Sequence, residues 1–246
     1  MRLLEQIGIY FILIGRAFSR PEKFSVLYRL TLREVEKVGI NSFPIVVIIS
    51  LFVGAVITIQ TNFNIENPLL PRYLVGVTVR DSLLLEFSST MVALILAGKV
   101  GSSIASELGM MRITEQIDAL EVMGINSASF LILPRVIAAV LFFPILCLLS
   151  IIVGLIGGYL ACVIGHVLPP ADYVYGIQYV FYPYYITYAV TKTIFYAIII
   201  TTVSAFYGYN VKGGAVEVGK SSTKAVVNSS VLILLANLIL TRTILQ

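Results

Sequence analysis

Five long apolar runs set the pattern of the chain, at about 43–62, 82–105, 131–163, 186–207 and 225–243. Each is long enough for a helix to cross a bilayer, which takes about 20 residues. The third exceeds that need, so it is expected to tilt or protrude, with a kink at Pro144. Ahead of the first run, Ile7 to Gly15 is apolar but too short to span, and Arg2, Arg16 and Arg20 flank it. It reads as an interfacial helix. Pro21 to Gly39 is a second amphipathic segment. Leu27, Leu30, Val35 and Val38 mark its apolar side, and Arg29, Arg33, Glu34 and Lys37 its wet side. The pattern predicts an all-α polytopic membrane protein: interfacial amphipathic helices over 1–40, then five transmembrane helices over 43–243, in a single domain of 1–246.

The stretch from Ala97 to Asn126 breaks this alternation. Gly98, Gly101, Ser102, Ser103, Ala105 and Ser106 crowd its first part. Small residues let helix backbones approach closely inside a membrane. Further on, Ile113, Ile117, Leu120 and Gly124 share one helical face, and Glu115, Asp118 and Glu121 another. A short helix of this kind between spans two and three should lie at the water boundary. Its charged face is either solvated or set against a soluble partner.

Composition agrees with the pattern. The chain has 246 residues, 58% hydrophobic and 12% charged, where a soluble domain carries about 25% charged residues. Mean hydropathy is +0.95. The net charge of +4 is explained by placement rather than by affinity for nucleic acid. Of 17 Lys and Arg, 13 fall on one side of the predicted spans, 3 on the other (Arg72, Arg80 and Arg242) and one, Lys192, inside the fourth. The positive-inside rule then puts the N-terminus in the cytoplasm and the C-terminus outside. Cys147 and Cys162 lie about 22 Å apart along one helix, too far for a disulfide. No cleavable signal is expected, because the first apolar run is short, contains Glu5 and Gln6, and lacks an A-x-A site.

Ionisable groups inside a membrane are costly and mark candidate sites. Glu86 lies near the outer end of span two, Lys192 in the outer part of span four and Lys99 nearer the inner end of span two. Glu86 and Lys192 are opposite in charge and could share a depth, either as a strut that fixes helix register or as a wall for a lipid headgroup. The outer connection, about 164–185, holds many tyrosines, as an interfacial belt or a docking surface, and a lone His166. Gly154 and Gly158 form a GxxxG pair for helix packing. Gly214 to Ser221 fits the P-loop pattern. That motif needs a strand before it and an α/β domain around it, and a connection of roughly 15 residues leaves no room for one. No paired carboxylates, nucleophile–base set or metal-ligand cluster appears in the sequence, so neither metal nor covalent catalysis is expected.

ELGMMRITEQIDALEVMG, with AGKVGSSIAS before it, resembles the signature of the MlaE/YrbE permease family, the membrane subunit of MCE-type ABC phospholipid transporters. A second similar block runs from Gly208 to Thr241. The resemblance implies a homodimeric permease of the cell inner membrane that binds no cofactor of its own. ATP would be used by a separate cytoplasmic ABC ATPase, and phospholipid exchanged with an extracytoplasmic MCE-domain protein. It also implies a coupling helix carrying Arg112, Thr114, Glu115, Gln116, Asp118, Glu121 and Met123, and a lipid-headgroup role for Glu86 and Lys192, with Lys99 a further lipid-binding candidate as an ionisable group in a span. The chain departs from the family at Leu85, where Arg is frequent, and at Asn210 and Asn237, where acidic residues are. Other readings are an ion-coupled secondary transporter, which would favour internal repeats that the sequence does not display, and a membrane ATPase using the 214–221 loop.

The charge bias predicts that Asp118→Cys is labelled by an impermeant thiol reagent only from the cytoplasm, and Asp172→Cys only from outside. Labelling of both from one side would refute the span count.

Overall fold

The computed structural model describes residues 2–19, 23–65 and 70–245. Arg20 and Pro21, used above, lie outside the described residues. Those described form helices and no strands: α1 (Arg2–Ser19), α2 (Phe24–Asn64), α3 (Leu74–Ile113), α4 (Gln116–Val122), α5 (Ser127–Gly165), α6 (Pro170–Gln178), α7 (Tyr184–Tyr209) and α8 (Ala215–Leu245). Five of them, α2, α3, α5, α7 and α8, are long and apolar enough to cross a membrane.

Three expectations about helix limits are corrected. The amphipathic segment does not end before the first span. It runs into it through a π turn (Val35–Gly39) and a 3₁₀ turn (Ile40–Ser42). Pro44 cannot donate a backbone bond, and its ring crowds the preceding turn, so the helix changes its winding there rather than stopping. The last helix begins at Ala215, so Glu217 to Ser221 are helical turns, not a loop. The stretch around Ile113 to Gly124 is not one helix either. It breaks at Thr114 and at Glu115, whose φ is +58°.

The chain divides into two compact units, Met1–Ser42, Ala93–Phe143 and Ile194–Gln246 in one, Phe43–Val92 and Pro144–Thr193 in the other. The boundaries fall inside helices rather than in linkers. In the second unit, α2 and α5 meet backbone to backbone. A Cβ on Gly54 would stand 1.9 Å from the Gly154 carbonyl oxygen, and one on Gly157 would stand 2.0 Å from that of Leu51. Ser50 Oγ donates to Ser150 Oγ at 2.8 Å beside this contact. Tyr173, fully buried, fills the space that a side chain at Gly158 would take. Arg80 is 3% exposed and fastens the segment after α6, its guanidinium donating to the carbonyls of Ile177 (2.9 Å), Tyr179 (2.6 Å) and Val180 (3.3 Å).

In the first unit the small residues of α3 face α7 and α8. Gly101 leaves room for Ser204, Gly208 lies against the Ala105 backbone, and Gly109 lies against Val218. Ser222 Oγ donates to the Ser102 carbonyl at 3.2 Å. Helix α1 buries Leu13 and Ala17, and its Tyr10 hydroxyl shares a 2.9 Å bond with Thr202.

Overpacking a tight contact costs about 1–3 kcal/mol. Gly54→Val should therefore lower the thermal midpoint clearly. Gly98→Ala, at a glycine with open space around it, should leave the midpoint unchanged or raised. Equal midpoints for Gly54→Val and wild type would contradict the α2–α5 contact.

Candidate functional site

In the second unit α3 and α7 bring Glu86 and Lys192 together. Residues Leu83–Met91 form a stretch of π winding, a distortion that is rare in helices and frequent at functional sites. Glu86 sits on it. Lys192 Nζ donates to Glu86 Oε1 at 3.0 Å, to the Tyr188 hydroxyl at 3.0 Å and to the Leu85 carbonyl at 3.2 Å. It also stands 4.6 Å from the centre of the Tyr188 ring. Thr90 Oγ1 donates to the other carboxylate oxygen of Glu86 at 3.0 Å. Lys192 is fully buried, while the Glu86 side chain is 41% exposed. The pair is thus enclosed at its cationic end and open at its acidic end. A buried ammonium needs an opposite charge and acceptors for its protons, and this cluster provides both.

Lys99 is elsewhere, in the first unit. It lies on a second π turn, Ala97–Gly101, and donates to the Asn41 carbonyl. Near it runs an ion-pair chain that charge counting passes over. Arg135, 3% exposed, stands 3.2 Å from Glu107 and 3.5 Å from Glu34. Lys37 Nζ donates to Glu107 at 2.8 Å. The signal in the sequence was an arginine within ILPRVIAAV, a charge in an apolar run.

Helix α4 carries three of the predicted coupling residues, Gln116, Asp118 and Glu121, while Arg112 lies at the end of α3, Thr114 and Glu115 in the break before α4, and Met123 just after it. Ile117 is its fully buried anchor. The αL residue Gly124 (φ +77°) ends the helix, and the Gly124 and Ile125 amides bond back to the Glu121 and Leu120 carbonyls, as helix C-caps commonly do. Two of the three acidic side chains are engaged within the chain. Asp118 pairs with Arg112 at 2.5 Å. Glu121 accepts from Ser127 at 2.9 Å and Tyr209 at 3.0 Å. Thr114 Oγ1 turns back onto the Met110 carbonyl. Glu115, Gln116, Val122 and Met123 are exposed, and so are Asp118 and Glu121 despite these contacts. The Ser127 hydroxyl, then Tyr209 and the charges of Arg16 and Arg112, hold the Glu121 carboxyl below the usual range against the opposing effect of burial. This tether is fully formed above the ordinary glutamate range and is lost as pH falls through the lowered value.

The P-loop look-alike is helical from Ala215 onward rather than a loop. Lys220 pairs with Glu217 at 2.6 Å along the helix, and Ser221 Oγ donates to the Tyr207 carbonyl. No strand precedes it among the described residues.

The sequence profile described as Permease MlaE matches residues 31–243. The chain belongs to the MlaE permease family. It is 33% identical to a probable ABC transporter permease protein of Rickettsia prowazekii, over 98% of this chain and 93% of that one. It is 30% identical to the intermembrane phospholipid transport system permease protein MlaE of Haemophilus influenzae, over 94% of this chain and 88% of the relative. The chloroplastic protein TRIGALACTOSYLDIACYLGLYCEROL 1 of Arabidopsis thaliana is 34% identical over 93% of this chain and 65% of its own length. Among MlaE permeases this chain is therefore an all-α, multi-pass member whose α3, α4 and α8 carry the two sequence blocks that resemble the family.

Removing one partner of a buried ion pair costs about 3–5 kcal/mol, whereas an exposed pair contributes about 0–1 kcal/mol. Arg135→Met should therefore destabilise the purified chain severely in a thermal melt, and Lys37→Met, at a side chain 54% exposed, by little. Similar small shifts for both would show that the Arg135 chain is not structural.

Proposed function

We propose that this MlaE permease is the membrane subunit of an ABC transporter that moves phospholipid between the inner membrane and an extracytoplasmic MCE-domain protein. The name of the Haemophilus relative supports the phospholipid cargo, and those of the Rickettsia relatives the ABC type. The structural observation that carries the site is the Lys192–Glu86 cluster, shut at the ammonium and open at the carboxylate. Beside its bonds from Lys192 and Thr90, the exposed side of the Glu86 carboxylate suits the ammonium or hydroxyl groups of a headgroup, with Tyr188 and Thr90 adding polar groups in an otherwise apolar span. A purely structural pair would more naturally be closed on both sides.

The chain itself hydrolyses nothing in this reading. A separate cytoplasmic ATPase uses ATP and acts on α4, whose exposed Glu115, Gln116, Val122 and Met123 offer a mixed polar and apolar contact. Arg112, Asp118 and Glu121 hold that helix in place, and the exposed sides of Asp118 and Glu121 border the same contact. The N-terminus and α4 lie in the cytoplasm, the C-terminus outside, and the working unit is a homodimer. No cofactor is bound by the chain. A secondary transporter is the weaker reading, since the sequence displays no internal repeat.

The test uses Glu86→Gln, Lys192→Met and the double variant. A strut should tolerate the double change better than either single one, because a single change leaves a buried charge alone. A headgroup site predicts that the double variant folds, keeps its thermal midpoint within a few degrees, and loses lipid transport and lipid crosslinking. Full transport by the double variant would leave only the strut.

A further inference from the structure

A cavity of about 370 Å³ opens in the first unit between the polar side of α2 and the small-residue part of α3. Its volume falls within the range of small-ligand sites. Its polar wall is made by Glu34, Lys37, Asn41, Lys99, Ser103 and Glu107. The charges around it do not balance. Glu107 is shared by Lys37 and Arg135, and Glu34 faces Arg135, so both carboxylates are already engaged. Lys99 has no carboxylate within ion-pair distance among the described residues, and its ammonium donates to a single carbonyl, that of Asn41. An ammonium has three protons to give. Three cations against two carboxylates leave one positive charge in excess, on a half-buried side chain that lines the cavity.

The surroundings narrow the ligand. Val38, Val100 and Ile104 form the apolar part of the wall. The α2 side of the cavity is where the basic amphipathic segment with Arg29, Arg33 and Lys37 passes into the apolar run that follows. Such a junction sits at headgroup depth, and basic pockets between membrane helices take lipid headgroups. The fit is to one negative charge with apolar chains attached, and a second, cationic group on the ligand would find no free carboxylate.

We propose that this cavity binds the phosphodiester of an anionic glycerophospholipid, with the phosphate on Lys99 and Ser103 and the acyl chains along the Val38, Val100 and Ile104 wall. It belongs to a different compact unit from Glu86 and Lys192. It does not rest on the transport reading, since a chain that moved no lipid would still hold this one.

The full chain, purified in mild detergent and mixed with phosphatidylglycerol or phosphatidylcholine, would be assayed for bound lipid by native mass spectrometry. Counting the lipid that Lys99→Met removes, so that lipid held at Glu86 and Lys192 is common to both and cancels, wild type should retain phosphatidylglycerol about tenfold more than phosphatidylcholine. Lys99→Met should lose that preference, Lys99→Arg should keep most of it, and Asp172→Asn should not change it. Ser103→Phe, at an exposed position, fills the cavity without touching the buried core and should also abolish retention, which keeps the test sound if Lys99→Met does not fold. Millimolar glycerol phosphate should not displace the lipid. Equal retention of the two lipids by wild type, unchanged retention in Ser103→Phe, or full displacement by glycerol phosphate would each overturn the proposal, the last in favour of a soluble phosphate ester.

Discussion

A fully buried ammonium in an apolar helix is the constraint that shapes the second unit of this permease. Lys192 cannot stay charged in a membrane span without an opposite charge and acceptors around its three protons. Glu86, Tyr188 and the Leu85 carbonyl meet that need within 3.2 Å. Two of these three come from the π-wound stretch of α3, where regular i, i+4 bonding is given up. The altered winding and the buried lysine meet at Leu85 and Glu86, and the exposure of Glu86 is what separates the pair from a plain strut.

A different solution operates in the first unit. There the charges form a chain, Glu34–Arg135–Glu107–Lys37, graded from buried Arg135 to a Lys37 side chain 54% exposed. It ties α2, α3 and α5 together. Helix α4 is tied in turn by Glu121 to Ser127 and Tyr209, while Asn126 donates to the Arg16 carbonyl at the end of α1. A force applied to the exposed face of α4 thus reaches α1, α5 and α7 through hydrogen bonds rather than through loose loops. That is a suitable construction for a helix read as the contact for an ATPase.

Much of this was legible in the residues. Apolar run length alone marks the five spanning helices, and within the small-residue stretch Gly101, Ser102 and Ala105 mark the face of α3 that packs against α7 and α8. The opposite charges of Glu86 and Lys192 were enough to suggest the pair. The helix limits were less legible, because continuity through Val35–Ser42 depends on π and 3₁₀ winding, which leaves no hydrophobic period to read. The engagement of Asp118 and Glu121 within the chain was hidden for a related reason. A helical wheel drawn from Ile113 assumes an unbroken helix, and the αL residue Glu115 resets the register. Arg135 was counted as an edge charge, since nothing in sequence distance links it to Glu34 or Glu107.

The central claim is that lipid movement through this chain is driven by a separate ATPase. The most direct measurement is transfer of fluorescent phospholipid in sealed inverted membrane vesicles that contain the chain with its native partners and hold a lipid acceptor in the lumen, where the extracytoplasmic face lies, with ATP or an imposed proton or sodium gradient as alternative energy sources. The account predicts transfer between the membrane and the enclosed acceptor on ATP hydrolysis, with the gradients alone giving none. Transfer driven by a gradient in the absence of ATP would contradict it and turn Glu86 and Lys192 into sites of ion coupling.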